Sequence, residues 1–233
     1  FKISPLATLS MFCTGIIHSA LFSLGAVYAA TMNFTIFEIS LLLFLITVSG
    51  GIFQLPLGYY SDKKDRRIVI IFCTFFASLF SFLCILSLGE NPEIMHMAID
   101  WESNKIIFFI FVSFYAGMSL PLFTLNLAYI NDYIPKEKFV AAGGGMQIIF
   151  GIGAIFGPLF CTLLMTKYGS NGFFVHVILF HLIIGIFGAY RITRRSSEDN
   201  PESTFTPLPR NITPLGIELD PTTGADLSTT NEK

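Results

Sequence analysis

Three groups of residues in this chain have types and spacings that could do chemistry. The first is the run Gly58-Tyr59-Tyr60-Ser61-Asp62-Lys63-Lys64-Asp65-Arg66-Arg67, in which two carboxylates stand among four cations. Asp62 follows Gly58 by four residues and so shares its helical face. A carboxylate there can accept from the free N–H groups at another helix's start, and glycine lets that helix come close. The second group is polar and uncharged: Thr14 and His18 stand four apart, and Tyr115, Ser119 and Asn126 recur at i, i+4 and i+11. Pro121 opens a backbone carbonyl among them. The third pairs Ser119 with His176 or His181, a nucleophile and two candidate bases. The two histidines are five residues apart and cannot share a metal as an i, i+4 pair would. Cys13, Cys73, Cys84 and Cys161 are scattered singly, with no C-x-x-C pair and no histidine at ligand spacing. They read as buried thiols, and no metal or cofactor is expected.

The elements that must position these groups follow from composition. Of 233 residues, 53% are hydrophobic, 13% are charged and 26 are phenylalanine, and mean hydropathy is +0.67. A soluble domain carries about 25% charged residues, so this is a membrane protein and soluble enzymes are excluded. The net charge of -2 supplies no basic field for nucleic acid. A hydrocarbon core of about 30 Å needs roughly 20 apolar residues of helix. Six stretches meet that need: residues 6–30, 39–60, 68–88, 106–129, 140–165 and 172–190. None contains Asp, Glu, Lys or Arg, as expected where a charge at the span centre costs about 2.5–3.5 kcal/mol on the mildest scale. The fold class is therefore an all-α six-span bundle filling residues 1–192.

Orientation comes from the short connections. Lys2, Lys63, Lys64, Arg66, Arg67, Lys136, Lys138, Arg191, Arg194 and Arg195 fall on one side, against Lys105 and Lys167 on the other, so the first side and both termini face the cytoplasm of a cell (inner) membrane. The acidic connection from Glu90 to Asn104 is then outside. Residues 193–233 turn to Ser, Thr, Pro, Asn and acids and are expected to form a disordered cytoplasmic tail. The chain opens with Phe1, without a basic leader or a small-residue cleavage site, so a fragment or a processed chain is expected.

Given these spans, Gly58-x-x-x-Asp62-Lys63-x-x-Arg66-Arg67 in a tight inner loop resembles motif A of the major facilitator superfamily, with Asp65 where that family usually has glycine. Asn126 to Asp132 closing span four, then Gly143-Gly144-Gly145 and Gly153-x-x-x-Gly157-Pro158 in span five, resemble the carboxy-terminal half of its bacterial YcaD-like branch. The resemblance covers roughly residues 4–195. It implies one half of a twelve-span secondary transporter working by alternating access, whose partner is an amino-terminal six-span half. It further implies that Gly58, Asp62, Lys63, Arg66, Arg67 and Asp132 form a conformational switch, with Asp132 paired to Arg66 or Arg67 as an exposed ion pair and Asp62 reaching a helix of the other half. Spans one and four would line the central cavity, making Thr14, His18, Tyr115, Ser119 and Asn126 candidate cavity residues. Spans two and five would meet the other half, where Gln54 and Gln147 could hydrogen-bond. Gly153, Gly157 and Pro158 belong to a helix-packing face. With no charged cavity residue, a neutral or amphipathic small molecule is favoured over a strongly anionic one.

Two other functions fit the span count. An intramembrane serine protease of the rhomboid type also has six spans, with Ser119 in the fourth and a histidine in the sixth. Pro121 breaks its glycine motif, however, and span two offers no histidine or asparagine for an oxyanion. A non-transporting assembly subunit would leave the Gly58 to Arg67 run unexplained.

Overall fold

The computed structural model describes residues 4–88 and 101–194, all as helices and short connections. Most of the acidic connection and the tail from residue 195 lie outside the described residues.

Helix α1 (Pro5–Thr31) starts where Ser4 accepts from the Ala7 N–H and Pro5 takes the first turn, a position that needs no donor. Asn33, at φ 57°, reverses the chain. Thr35 and Glu38 then form a reciprocal capping box that opens α2 (Ile36–Lys63). Only Lys64 and Asp65 separate α2 from α3 (Arg66–Leu88). Asp65 accepts from the Arg67 N–H at 3.0 Å and so caps α3. A capping carboxylate thus occupies the position where glycine is the family's usual residue.

The stretch expected as one span, 106–129, is two helices, α4 (Trp101–Ser119) and α5 (Leu122–Asn131). Pro121 has no N–H to continue the ladder, and Leu120 and Pro121 form the break between them. Helix α6 (Phe139–Tyr168) runs unbroken through Pro158, and a single 3-10 turn leads to α7 (Gly172–Arg194). Among the described residues, five stretches are long and apolar enough to cross a membrane, the last of them, 59 residues long, containing both α6 and α7.

Helix α1 is the hub of the bundle and packs chiefly on α6, then on α7 and α5, while α3 packs on α7 and α4. The α1–α6 crossing is close because it is lined by glycine. A Cβ on Gly153 would strike the carbonyl oxygen of Phe12; on Gly157, that of Ile16; on Gly15, that of Phe150. This is small-residue packing in which backbones touch. Helix α2 is tied to α4 at one end by Lys105 and Glu38 at 2.8 Å and in the middle by Gly117, against which Phe53 packs. Elsewhere α2 and α6 carry long exposed apolar ridges, Phe44, Val48, Ile52, Leu55 and Tyr59 on one and Ile148, Ile152, Ile155, Leu159 and Leu163 on the other. Surfaces this apolar are stable only against lipid or protein.

Candidate functional site

At the basic end of the bundle, three helix termini converge on one side chain. Arg66 opens α3, and its Nε donates to Asp132 at 3.0–3.1 Å, at the end of α5. Its Nη2 meets Asp62 in the last turn of α2 at 2.9 Å, and its Nη1 donates to Ser61 Oγ at 3.1 Å. Ser61 in turn donates to the carbonyl of Gly58 at 2.8 Å. A guanidinium can satisfy several acceptors at once because its donors are held in a rigid planar fork. Of the two arginines offered to Asp132, Arg67 is already taken: it grips Asp65 at 2.6–3.1 Å. Lys63 turns back onto Tyr59.

Two expectations need correcting here. The Arg66–Asp132 pair is not an exposed one, since only 6% and 10% of the two side chains are accessible; the last turn of α5 lies over the α2–α3 corner and shields it. Asp62 finds a partner inside this chain, because the two-residue loop brings Arg66 back within reach of α2. Its side chain remains 29% accessible, so one edge of the cluster is open.

The polar residues on α1, α4 and α5 also come together, though not as a cavity lining. Thr14, His18, Tyr115, Ser119 and Asn126 are all fully buried among the helices of this chain. Asn126 Nδ2 donates to Thr14 Oγ1 at 3.2 Å, and Thr14 donates to the Ser10 carbonyl at 2.7 Å. His18 Nε2 lies 3.1 Å from the Ser119 carbonyl oxygen, which fixes Nε2 as the donor. The α4–α5 break provides that acceptor, and His18 supplies a bond in place of a helical one. The correction has a simple cause: α1 and α4–α5 face each other across the bundle, so their polar residues are turned inward toward one another. Gln54 behaves likewise, donating to Thr124 at 3.4 Å within the chain.

Ser119 joins a third element. His181 on α7 donates from Nδ1 to the Val177 carbonyl at 2.8 Å, leaving Nε2 to accept from Ser119 Oγ at 3.0 Å. This is the serine–histidine pairing that a protease would need, but the bond is sealed: both side chains are fully buried, and the Leu120 N–H beyond the serine is bound to Ala116 O. No donor there is free to receive an oxyanion. The pair reads as an interhelical bond, of a kind that averages about 0.6 kcal/mol in membranes. A fluorophosphonate probe should therefore leave Ser119 unlabelled in the folded protein, and Ser119→Ala should lower the thermal midpoint only slightly. Stoichiometric labelling abolished by that substitution would restore the protease reading.

The role of His181 in joining α7 to α4 was not legible from its spacing to His176, because the partner is 62 residues away in sequence. Gly15 was overlooked as a packing residue, although Gly15 and Ser19, four apart, carried the small-x-x-x-small signal. The four cysteines are buried free thiols, and no cluster of metal-binding side chains occurs among the described residues.

Comparison with known proteins gives a consistent result. The family model described as Major Facilitator Superfamily matches residues 7–222. The uncharacterised MFS-type transporter YfkF of Bacillus subtilis is 29% identical over 174 residues, covering 74% of this chain and 40% of its own. The uncharacterised MFS-type transporter YcaD of Escherichia fergusonii is 22% identical over 164 residues, 70% of this chain and 38% of its own. The probable nitrate transporter NarT of Staphylococcus aureus is 24% identical over 164 residues, 67% and 37% respectively. The chain spans about two fifths of the length of these relatives. With apolar helices throughout, a Gly58 to Arg67 corner of the motif-A pattern and a family match over most of its length, this multi-pass membrane protein belongs to the major facilitator superfamily.

Proposed function

We propose that this chain is the carboxy-terminal, six-span half of a secondary active transporter that moves a small solute by alternating access. In this reading, α4 and α5 together make the fourth span, and α6 and α7 make the fifth and sixth. Both ends of the segment face the cytoplasm, and the membrane is the cell (inner) membrane. The exposed ridges of α2 and α6 would seat an amino-terminal six-span half. The observation that carries the proposal is the Arg66 fork, which gathers the ends of α2, α3 and α5 at one face and leaves an edge of Asp62 open. Gly58, Asp62, Lys63, Arg66, Arg67 and Asp132 then act as the conformational switch, Asp62 exchanging between Arg66 and a helix start in the other half. A carboxylate at a helix N-terminus contributes about 0.3–1 kcal/mol. That is small for folding, but it shifts severalfold an equilibrium between states separated by a few kcal/mol.

With Thr14, His18, Tyr115, Ser119 and Asn126 buried inside the bundle, the surface that α1 leaves open is uncharged and includes Phe22, Ser23 and Val27. This favours a neutral or amphipathic solute. The relative named as a probable nitrate transporter adds nitrate to the solutes worth testing.

The test is uptake into vesicles containing the complete protein, offered neutral and amphipathic solutes and nitrate, with and without a pH gradient. Asp62→Asn should reduce uptake severalfold while the thermal midpoint stays within a degree or two, since a pair this open contributes about 0–1 kcal/mol. Folded protein that moves none of these solutes would count against transport of a small solute. Unimpaired uptake by Asp62→Asn would remove the switch role.

A further inference from the structure

An apolar groove of about 430 Å³ opens between α2, α3 and α4. Its walls include Phe53, Leu57 and Tyr60 on α2, Ile68 and Phe72 on α3, and Met118 on α4. It runs from the middle of α2 toward the α2–α3 corner, because Tyr60 is one turn from Lys63 and Ile68 follows Arg67 directly. The two long helices are joined at that corner by only two residues yet make few contacts beyond it, so they diverge and leave a wedge.

We propose that this groove holds an acyl chain of an anionic phospholipid whose phosphate is bound by Lys64. Three observations select that occupant. The first is charge. Arg66 and Arg67 are committed to Asp62, Asp132 and Asp65 and Lys63 is turned onto Tyr59, away from the groove, whereas Lys64 follows the groove residue Tyr60 by four positions, is exposed and forms no ion pair among the described residues. An unneutralised lysine beside the Tyr60 end of an apolar groove is complementary to a lipid with a negative head and a hydrocarbon tail. The second is direction. At about 100° per residue, the α2 ridge of Phe44, Val48, Ile52, Leu55 and Tyr59 projects roughly 140° around the helix from Phe53, Leu57 and Tyr60. A partner half seated on the ridge therefore leaves the groove facing the bilayer. The third is continuity: Ile68 and Phe72 belong to the exposed stripe of α3 that goes on through Phe75, Leu79 and Phe82, a face suited only to lipid. The site needs the chain to lie in a bilayer but does not depend on which solute, if any, is carried.

The test uses the complete protein in vesicles of four parts phosphatidylcholine to one part phosphatidylglycerol. A trace of either lipid carries a photoactivatable diazirine in its acyl chain, and the labelled peptides are mapped. The phosphatidylglycerol probe should label the peptides around Phe53–Tyr60 and Ile68–Phe72 several times more strongly than the phosphatidylcholine probe does. In Lys64→Gln, an exposed position between α2 and α3, that preference should fall by about fivefold, the factor equivalent to about 1 kcal/mol for a basic residue at a membrane surface. Ile68→Trp, at an exposed position of the groove wall, should fill the groove and abolish the phosphatidylglycerol preference, leaving the labelling by bulk lipid that both probes share. Equal labelling by the two lipids, a preference retained in the lysine variant, or groove peptides cross-linked to protein instead of lipid would each overturn the proposal. A finding that no solute is transported would leave it standing.

Discussion

Arg66→Gln is expected to cost about 3–5 kcal/mol of stability, the range for removing one partner of a buried ion pair. The substitution removes the guanidinium that reaches both Asp62 and Asp132 and so joins the ends of α2, α3 and α5. Asp132, 10% accessible, bears most of the penalty, and the more open Asp62 bears little. Thermal unfolding in detergent should therefore rank Arg66→Gln well below Asp132→Asn, with Asp62→Asn close to the unmodified protein. Arg66→Met combined with Asp132→Leu should recover part of the loss, since an apolar pair of similar volume restores packing without desolvated charge. If Arg66→Gln is as mild as Asp62→Asn, the pair is solvated in the working protein and the three helix ends are not held by it.

Gly157→Ala should destabilise the bundle by about 1–3 kcal/mol, while Gly151→Ala in the same helix should be neutral or stabilise by up to about 1 kcal/mol. Alanine is the better helix former at both positions, so propensity alone predicts two gains. The difference lies in what the new methyl group meets. At Gly157 it would collide with the Ile16 backbone carbonyl and Ser19, whereas at Gly151 nothing lies within 4 Å. A backbone carbonyl cannot rotate aside as a side chain can, so α1 and α6 must separate and the loss spreads along their crossing. Gly153→Ala, which meets the Phe12 carbonyl, should behave like Gly157→Ala. The measurement is the unfolding midpoint of each variant beside its yield of monodisperse protein. Equal midpoints for Gly151→Ala and Gly157→Ala would show that the crossing is looser than the geometry requires.

The sequence by itself determined the apolar helical runs and the charged character of the corner, but not the break at Leu120 and Pro121 that divides the fourth run into α4 and α5. Long runs without Asp, Glu, Lys or Arg have one stable form in lipid, the helix, because each helix satisfies its own backbone and needs no partner to reveal itself. The Gly58 to Arg67 run was legible as a charged corner between two helices, but the two-residue turn that brings Arg66 back to Asp62, which was expected to reach another half, showed only in the fold. The number of acceptors around Arg66 was decided elsewhere. Asp132 is 66 residues away, and only the docking of α5 over the corner makes their contact a buried pair. The polar residues show the same limit. Helical spacing placed Tyr115, Ser119 and Asn126 on a common face, but a face can look onto a wet path or onto a neighbouring helix, and both choices satisfy a polar side chain. The packing of α1 and α7 against α4 and α5 settled the matter by bringing His18 and His181 to Ser119 and Thr14 to Asn126. Among the glycines, composition could not distinguish Gly151 from Gly153 or Gly157. Closeness between helices is a property of two chain segments at once, and the identity of the atom facing each glycine is fixed only when α1 crosses α6.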